Sequence, residues 1–162
     1  MPNVYKPTFE EGERPEGFRS RRARIGYELG SELIGCSLWE LPAGEAAYPY
    51  HFHYADEELV IVLSGRPTLR TPEGVRELEQ GEALRFPLGE EGAHQIVNRS
   101  EETVTLLAVS SHGRPDVVVY PDSDRSASAR GCRGAVACGP SSSVATGSVT
   151  SRARASTSSS CR

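Results

Sequence analysis

The chain has 162 residues, of which 37% are hydrophobic and 25% charged, and its formal net charge at pH 7 is −4. These values are typical of one globular domain rather than of a membrane-embedded or fibrous protein. No apolar run approaches the roughly 18 residues that a membrane span needs, so we expect no membrane partner. The N-terminus leads into acidic sequence without an apolar core, which predicts a cytoplasmic protein without a secretory signal.

Charge is divided unevenly along the chain. Residues 1–124 hold 12 Lys and Arg against 22 Asp and Glu, a balance of −10, whereas residues 125–162 hold six Arg and no acid. A domain that binds nucleic acid normally presents a basic patch. The acidic body therefore predicts that nucleic acid is not a partner.

The first strands follow a segment without periodicity. Residues 1–20 are rich in Pro, Gly and Glu, which predicts an extended N-terminal arm. The basic run 19–24 is interpreted as the solvated face of a first strand over 22–29. A second strand is predicted over 33–41, where Cys36 is expected to be a small buried apolar residue.

Short runs with strand character continue through the body, separated by turn residues. Strands are predicted over 58–63, 68–70, 75–78, 83–86, 94–98, 103–110 and 116–120. Many short strands at a spacing of roughly ten residues, with no convincing helix, indicate a sandwich or a closed barrel. The sequence therefore predicts an all-β domain over residues 21–122.

The composition changes abruptly after residue 122. Residues 123–162 contain twelve serines and no Glu, Lys, Leu, Ile or aromatic residue. Such a segment cannot bury enough apolar surface to offset the entropy lost on ordering, which predicts a disordered C-terminal tail. Its mixture of Ser, Arg, Ala, Gly and Cys is typical of GC-rich DNA read out of frame, so we hypothesise a frameshifted terminus.

Four side chains between residues 50 and 98 can hold a metal ion. His51 and His53 are two residues apart, and such residues in a strand point to the same face. Glu58 opens the next apolar run and His94 opens a later one, so both can reach the same point. Imidazoles with a carboxylate suit Fe, Mn, Ni, Zn or Cu rather than Ca or Mg. The pattern predicts a divalent transition-metal site.

The spacing of these residues resembles the two sequence motifs of cupin domains. The first motif corresponds to Gly44, six residues, His51-Phe52-His53, four residues, Glu58, six residues and Gly65. The second corresponds to Gly81, five residues, Pro87-Leu88-Gly89, four residues, His94, three residues and Asn98. The chain has one extra residue after Gly44 and two extra residues before His94, and we expect both insertions to lie in loops, where they are tolerated.

The resemblance implies a single-domain bacterial cupin, which is a double-stranded β-helix (jelly-roll) barrel. It also implies that His51, His53, Glu58 and His94 are the metal ligands. Glu57 is the alternative carboxylate, since a three-residue gap after His53 would select it. The motif's six-residue gap before its glycine favours Glu58, which could also act as an acid or base.

Other residues near the motifs leave alternatives open. The aromatic candidates either line a pocket beside the metal or pack in the core; they are Trp39, Tyr48, Tyr50, Phe52 and Phe86. Asn98 is expected to form hydrogen bonds in a turn rather than bind the metal. His112 is expected to be a loop residue outside the site.

Fold alone does not determine function, because cupins host many activities. One interpretation is a small metal-dependent enzyme, of the isomerase, epimerase or dioxygenase type, that acts on an oxygen-rich small molecule. The alternative is a non-catalytic module that binds or senses a small molecule. A second acid–base residue on the pocket wall would favour the enzyme, and Glu82 and Arg85 are the candidates. Because cupins commonly pair through edge strands and N-terminal arms, we also expect a homodimer.

Overall fold

The computed structural model describes residues 1–10, 12–112, 115–123 and 125–129. In these ranges the secondary structure is almost entirely β, with one four-residue helix, α1 (Ile25–Glu28), and two short 3-10 turns, Glu90–Gly92 and Pro121–Ser123. The strands are β1 (Arg21–Ala23), β2 (Ile34–Leu41), β3 (Phe52–His53), β4 (Glu58–Ser64), β5 (Thr68–Thr71), β6 (Gly74–Glu77), β7 (Ala83–Phe86), β8 (Gln95–Val97), β9 (Val104–Ser111), β10 (Asp116–Tyr120) and β11 (Arg125–Ala129).

Five strands form the larger layer of the barrel. Their order is β1-β2-β9-β4-β7, and every pairing between neighbours is antiparallel. The long strands β2, β4 and β9 are rich in the β-branched and aliphatic residues that pack well on a pleated surface. Their alternation sends one set of side chains into the barrel and the next set to the outer face.

Two smaller sheets form the opposite layer, in the orders β11-β10-β3 and β6-β5-β8. Two isolated antiparallel bridges join them: His51 pairs with His94, and Ala46 pairs with Val97. The result is a double-sheet jelly-roll barrel, which confirms the predicted all-β fold class.

The inner face of the five-stranded sheet differs between its two ends. At the packed end, four aliphatic side chains are 0 to 2% exposed: Leu41, Val62, Val104 and Leu106. At the open end, the register places Glu58 beside Ser110, which in turn pairs with Gly35. Ser37 and Ala108 form the next row, so small side chains lie next to Glu58 on the β9 and β2 side of the sheet.

The first predicted strand is wrong over most of its length. Only Arg21–Ala23 is extended, and Ile25–Glu28 is the single helical turn α1. The apolar residues at alternate positions favoured a strand, yet Tyr27 and Leu29 are exposed while Ile25 packs with Leu38. Gly26 permits this packing, since a Cβ there would lie 2.9 Å from the backbone nitrogen of Cys36.

The N-terminal residues lie along the barrel. Val4 and Phe9 pack against the outer-face cluster around Leu38, beside the partly buried Cys36. The backbone N–H of Glu10 donates to the carbonyl oxygen of Arg22 at 2.8 Å. This contact covers part of the exposed edge of β1, as sheet edges generally require.

The C-terminal boundary differs from the expectation. Arg125–Ala129 pairs with β10 over its whole length, although disorder was predicted from residue 123 onward. An unpaired strand edge offers backbone hydrogen bonds to any extended neighbour, so apolar content is not required for this pairing. The rest of the predicted tail, with its three cysteines, lies outside the described residues.

Among the described residues, no helix is long and apolar enough to span a lipid bilayer.

Candidate metal centre

The imidazoles of His51, His53 and His94 meet at the open end of the barrel. His51 and His94 exchange two backbone hydrogen bonds of 3.1 and 2.9 Å, which brings their ring centroids to 4.7 Å. The His53 ring lies 5.1 Å from that of His51. Two residues distant in sequence therefore approach because two chain segments pair, and the third follows from strand alternation.

Each of these imidazoles has an oxygen acceptor at Nδ1. His51 donates to the Pro49 carbonyl at 2.8 Å and His94 to the Gly92 carbonyl at 2.9 Å. His53 Nδ1 lies 2.6 Å from Oδ2 of Asp116. Because a carbonyl oxygen only accepts, the proton belongs on Nδ1 and the lone pair on Nε2. The hydrogen bonds thus prepare Nε2 of each ring as a metal-binding atom.

Glu58 points to the same cluster. Its Oε2 lies 3.3 Å from Nε2 of His94 and 3.7 Å from Nε2 of His53. Ligand atoms of His51, His53 and Glu58 all fall within 4.8 Å of one another. Three imidazole nitrogens with one carboxylate are a donor set that suits Fe, Mn, Ni, Zn or Cu.

Glu57 faces away from the cluster. Its carboxylate pairs with Arg85 on the outer surface, and its side chain is 44% exposed. The Glu58 side chain is 20% exposed by comparison. Adjacent residues entering a strand alternate between faces, so only one of these two glutamates can point into the barrel.

Burial controls the charge of the cluster. It lowers the pKa of His51 to about 4 and that of His94 to about 3, and in each case a neighbouring imidazole lowers the pKa further. Both rings are therefore neutral at pH 7, as metal ligation requires. Burial also raises the pKa of Glu58, whereas the charges of His53 and Arg22 act in the opposite direction.

Aromatic rings enclose the imidazoles. Phe86 stacks on His94 at a centroid distance of 3.6 Å and an interplanar angle of 9°. Tyr48 and Tyr120 lie 5.6 and 6.0 Å from His51. The aromatic candidates therefore take both of the roles considered. Four pack in hydrophobic clusters of the core: Trp39, Phe86, Tyr50 and Phe52. Tyr48 is partly exposed and lies beside a histidine, as a residue that lines a pocket does.

The two predicted acid–base candidates lie outside the pocket. Arg85 is exposed and paired with Glu57, and Glu82 binds Arg76 and the backbone N–H of Glu79 on the surface. Neither candidate is therefore a residue of the pocket wall; the alternation in β7 turns Phe86, not Arg85, toward the histidines.

The expected structural role of Asn98 is confirmed. Its side-chain amide donates to the carbonyl oxygens of Leu41 and Glu102, and its Oδ1 accepts from Ser100. His112 lies in the loop directly after β9, as predicted, and its ring contacts Gly35.

Sequence reasoning missed one residue of β10, Asp116, and one of β1, Arg22. Asp116 is 1% exposed, and its Oδ1 accepts from the backbone N–H of Ala55 at 2.9 Å while its Oδ2 holds His53. A carboxylate that opens a valine-rich strand was the available signal. Arg22 was assigned to a solvated face, but it packs over the buried Trp39 ring.

Comparison with known proteins identifies the family of the fold. The model of the Cupin_2 family, described as a cupin domain, matches residues 37–110. This match and the jelly-roll architecture identify the β-barrel as a cupin domain. No curated protein matches the chain.

Solved structures with the same fold include several bacterial enzymes. A proposed sugar phosphate isomerase from Acidithiobacillus ferrooxidans is 29% identical, with 70% of this chain and 72% of that chain covered and a TM-score of 0.66. A cupin-superfamily sugar phosphate isomerase from Silicibacter pomeroyi is 22% identical, with coverages of 85 and 97% and a TM-score of 0.68. The polyketide cyclase RemF from Streptomyces resistomycificus is 23% identical, with coverages of 72 and 82% and a TM-score of 0.59. The last two similarities concern the fold alone.

Proposed function

We propose that this cupin binds one divalent transition metal through His51, His53, Glu58 and His94, and that the loaded site acts on an oxygen-rich small molecule. One observation carries the proposal. All three imidazoles have an acceptor at Nδ1, which leaves the lone pair of each ring on Nε2, and these rings lie beside the Glu58 carboxylate. Burying polar atoms such as these Nε2 nitrogens and this carboxylate costs free energy unless each atom has a partner, and a metal ion would provide that partner.

The metal would supply a Lewis acid for a carbonyl or enediolate oxygen, or an open position for O2. With four protein ligands, the metal would keep coordination positions for a substrate. The protein itself supports the ligands, excludes bulk water with Phe86 and Tyr120, and places Glu58 next to the reacting atoms. A carboxylate whose pKa is raised by burial holds a proton more readily than an exposed one, which suits it to accept and return a proton.

An isomerase or epimerase is the reaction type that we favour over a dioxygenase. The Acidithiobacillus ferrooxidans protein, which is 29% identical, is described as a proposed sugar phosphate isomerase. Proton transfer next to a carbonyl needs a base beside a Lewis acid, and Glu58 meets that requirement.

The metal is tested by elemental analysis of the purified full chain, its Glu58→Gln and Glu57→Gln variants, and His94→Ala. We expect one metal per chain in the wild type and in Glu57→Gln, with strong loss in Glu58→Gln and His94→Ala. The two glutamates are adjacent in sequence but face opposite sides, which makes Glu57→Gln the matched control. Full occupancy in Glu58→Gln with loss in Glu57→Gln would reverse the assignment.

Activity is tested by incubating the metal-loaded protein with sugar phosphates and hydroxy ketones in deuterated water. An isomerase or epimerase incorporates deuterium next to the carbonyl, which NMR detects, and Glu58→Gln should abolish the incorporation. Oxygen consumption without deuterium uptake would instead indicate a dioxygenase.

A non-catalytic binding or sensing module remains the second candidate. The observation in its favour is that Glu82 and Arg85, the predicted second acid–base residues, lie on the outer surface. Saturable ligand binding without deuterium exchange or oxygen consumption would identify this function.

We also propose that the chain forms a homodimer through the outer face of the five-stranded sheet. Leu33, Ile34 and Leu59 are 78, 54 and 48% exposed, and they line a groove of about 200 Å3. The Glu57–Arg85 pair lies at the rim of this groove, because Arg85 is opposite Leu59 in the sheet. An apolar patch that carries both charge signs is self-complementary about a two-fold axis.

Size-exclusion chromatography with light scattering tests the dimer. We expect a dimer for the wild type, a monomer for Leu59→Arg, and a dimer for Val75→Arg, which changes an equally exposed side chain on β6. A wild-type monomer at micromolar concentration would contradict the proposal.

The cytoplasmic location stays a prediction from the sequence, and fractionation of cells that express the protein tests it.

A further inference from the structure

Two arginines flank one tryptophan beside the open end of the barrel. The guanidinium carbons of Arg22 and Arg14 lie 4.9 and 5.2 Å from the centroid of the Trp39 ring. Arg22 donates its Nε–H to the hydroxyl of Ser37 at 3.0 Å. Arg14 donates from Nη1 to the hydroxyl of Ser20 at 3.4 Å. Both acceptors are uncharged hydroxyls, so neither hydrogen bond is an ion pair.

The neighbouring arginines are different in this respect. The other three arginines between residues 12 and 24 each pair with a carboxylate: Arg19 with Glu45, Arg21 with Glu40, and Arg24 with Glu10. Among the described carboxylates, none lies within ion-pair distance of Arg14 or Arg22.

Two like charges on one ring repel each other. Burial lowers the pKa of Arg22, and the charges of Arg24 and Arg14 lower it further, whereas Tyr48 and Glu10 raise it. A partly buried guanidinium normally has an anionic partner, because desolvation without one is costly. Glu10 acts on Arg22 only through its charge and forms its ion pair with Arg24, so Arg22 has no carboxylate in direct contact.

The sheet register directs Arg22 toward the open end. Arg22 is opposite Trp39 in the pairing of β1 with β2, and Trp39 belongs to the interior cluster. The Nε hydrogen bond draws the guanidinium along the inner face to Ser37, one row nearer to Glu58. Beyond that row lie Gly35, Ser110 and Ala108, and the Ser110 hydroxyl and the His112 ring lie beside Gly35.

The arginines also adjoin the candidate metal centre. Tyr48 contacts the Trp39 ring at 5.4 Å on one side and the His51 ring at 5.6 Å on the other. The charge of Arg22 acts on both Tyr48 and Glu58. A small molecule held by the arginines therefore lies next to the atoms that would bind the metal.

We propose that Arg22 and Arg14 form an oxyanion subsite, which binds the carboxylate or phosphate group of a substrate whose uncharged oxygens reach His51 and Glu58. This inference rests on the proposed function, and it narrows the substrate to anionic, oxygen-rich small molecules. A guanidinium presents a planar fork of N–H donors that matches carboxylate and phosphate oxygens bidentately. The hydroxyls of Ser37 and Ser20 accept hydrogen bonds that orient the guanidinium groups of Arg22 and Arg14, and stacking holds both groups close to the Trp39 ring.

Isothermal titration of the full chain in the presence of a chelator tests the subsite without metal. The probes are inorganic phosphate and acetate, and the probe that binds more tightly identifies the source of the oxyanion. In Arg22→Met we expect binding of that probe to weaken at least roughly tenfold, since a charged bidentate contact is lost. Arg22→Lys keeps the charge without the fork, so we expect an intermediate loss. The control is Arg76→Met, which removes an exposed arginine that is paired with Glu82.

Equal probe binding in the wild type and both Arg22 variants would overturn the proposal, as would the absence of binding to the wild type. Thermal unfolding of each variant shows whether it is folded, and Arg22→Lys retains the test if Arg22→Met does not fold. Metal stoichiometry, measured on the same preparations before the chelator is added, separates the two proposals. Arg22-dependent anion binding in a protein that holds no metal before chelation would retain the subsite and overturn the metal centre, whereas a metal-loaded protein that binds no anion would do the opposite.

Discussion

The packed end and the open end of the barrel are built on the same strands, yet they have opposite properties. On β9, Leu106 fills the packed end and is 2% exposed, whereas Ser110 lies beside Glu58 at the open end. Four residues along one strand separate close aliphatic packing from a cluster of ionisable groups. The comparison shows how the fold separates stability from chemistry, because the packed end supplies the burial energy that the open end does not.

The largest expected effect is on the packed end. Leu106→Ala should destabilise the protein by about 2–5 kcal/mol, since it leaves a cavity in a rigid aliphatic cluster. Ser110→Ala, on the same strand, should cost less than about 1 kcal/mol. Urea unfolding measures both. Metal stoichiometry of folded Leu106→Ala should equal that of the wild type, and loss of metal without loss of stability would show that the two ends are not independent.

The open end is tested through the residue that orients His53. Asp116→Asn should weaken metal affinity about 10- to 100-fold, because the carboxylate that fixes the His53 tautomer is lost. Competition titration with a chelator measures this affinity. Asp122→Asn is the control, since Asp122 pairs with Arg70 on the surface. Unchanged affinity in Asp116→Asn would show that the packing of the strands alone orients His53.

Acid should lower the folding stability of the metal-free protein through the histidines at its open end. The folded-state pKa values of His51 and His94 are about 4 and about 3, below the ordinary value of 6.5. The unfolded chain therefore binds more protons than the folded chain as pH falls from about 6.5 to about 4, and stability is lost in that window. Each histidine contributes up to about 1.4 kcal/mol per pH unit.

The raised pKa of Glu58 offsets part of this loss, because burial favours its protonation in the folded state. Urea midpoints of the chelated protein at several pH values should therefore decrease below about pH 6.5. His94→Gln should show a smaller decrease, since one titrating group is removed. A midpoint that is constant down to pH 4.5 in the wild type would contradict the neutral buried histidines.

The smallest expected effect concerns the outer edge of β10. A chain that ends at Ser123 should be less stable than one that ends at Ala129 by about 1 kcal/mol or less, because β11 adds an edge strand of Ser and Ala residues. Thermal unfolding of the two truncated chains measures the difference. A loss of several kcal/mol would show that β11 holds β10, and with it Asp116, in place.

The sequence by itself determined the class of fold, and it predicted the four candidate metal ligands. Period-two patterns and turn residues located the long strands, and β7 and β10 have the predicted bounds. The spacing of His51, His53, Glu58 and His94 was sufficient to predict that they meet, since the cupin motifs encode a pairing of segments that are distant in sequence.

Only the tertiary structure decided which side chains support and surround that site. Asp116 reaches His53 because β10 pairs with β3, and no local pattern reports that pairing. Arg22 turns inward because β1 is paired with β2, whereas its basic neighbours suggested a solvated face. Local sequence fixes the alternation of a strand, but the neighbours that cover each face determine which side is buried.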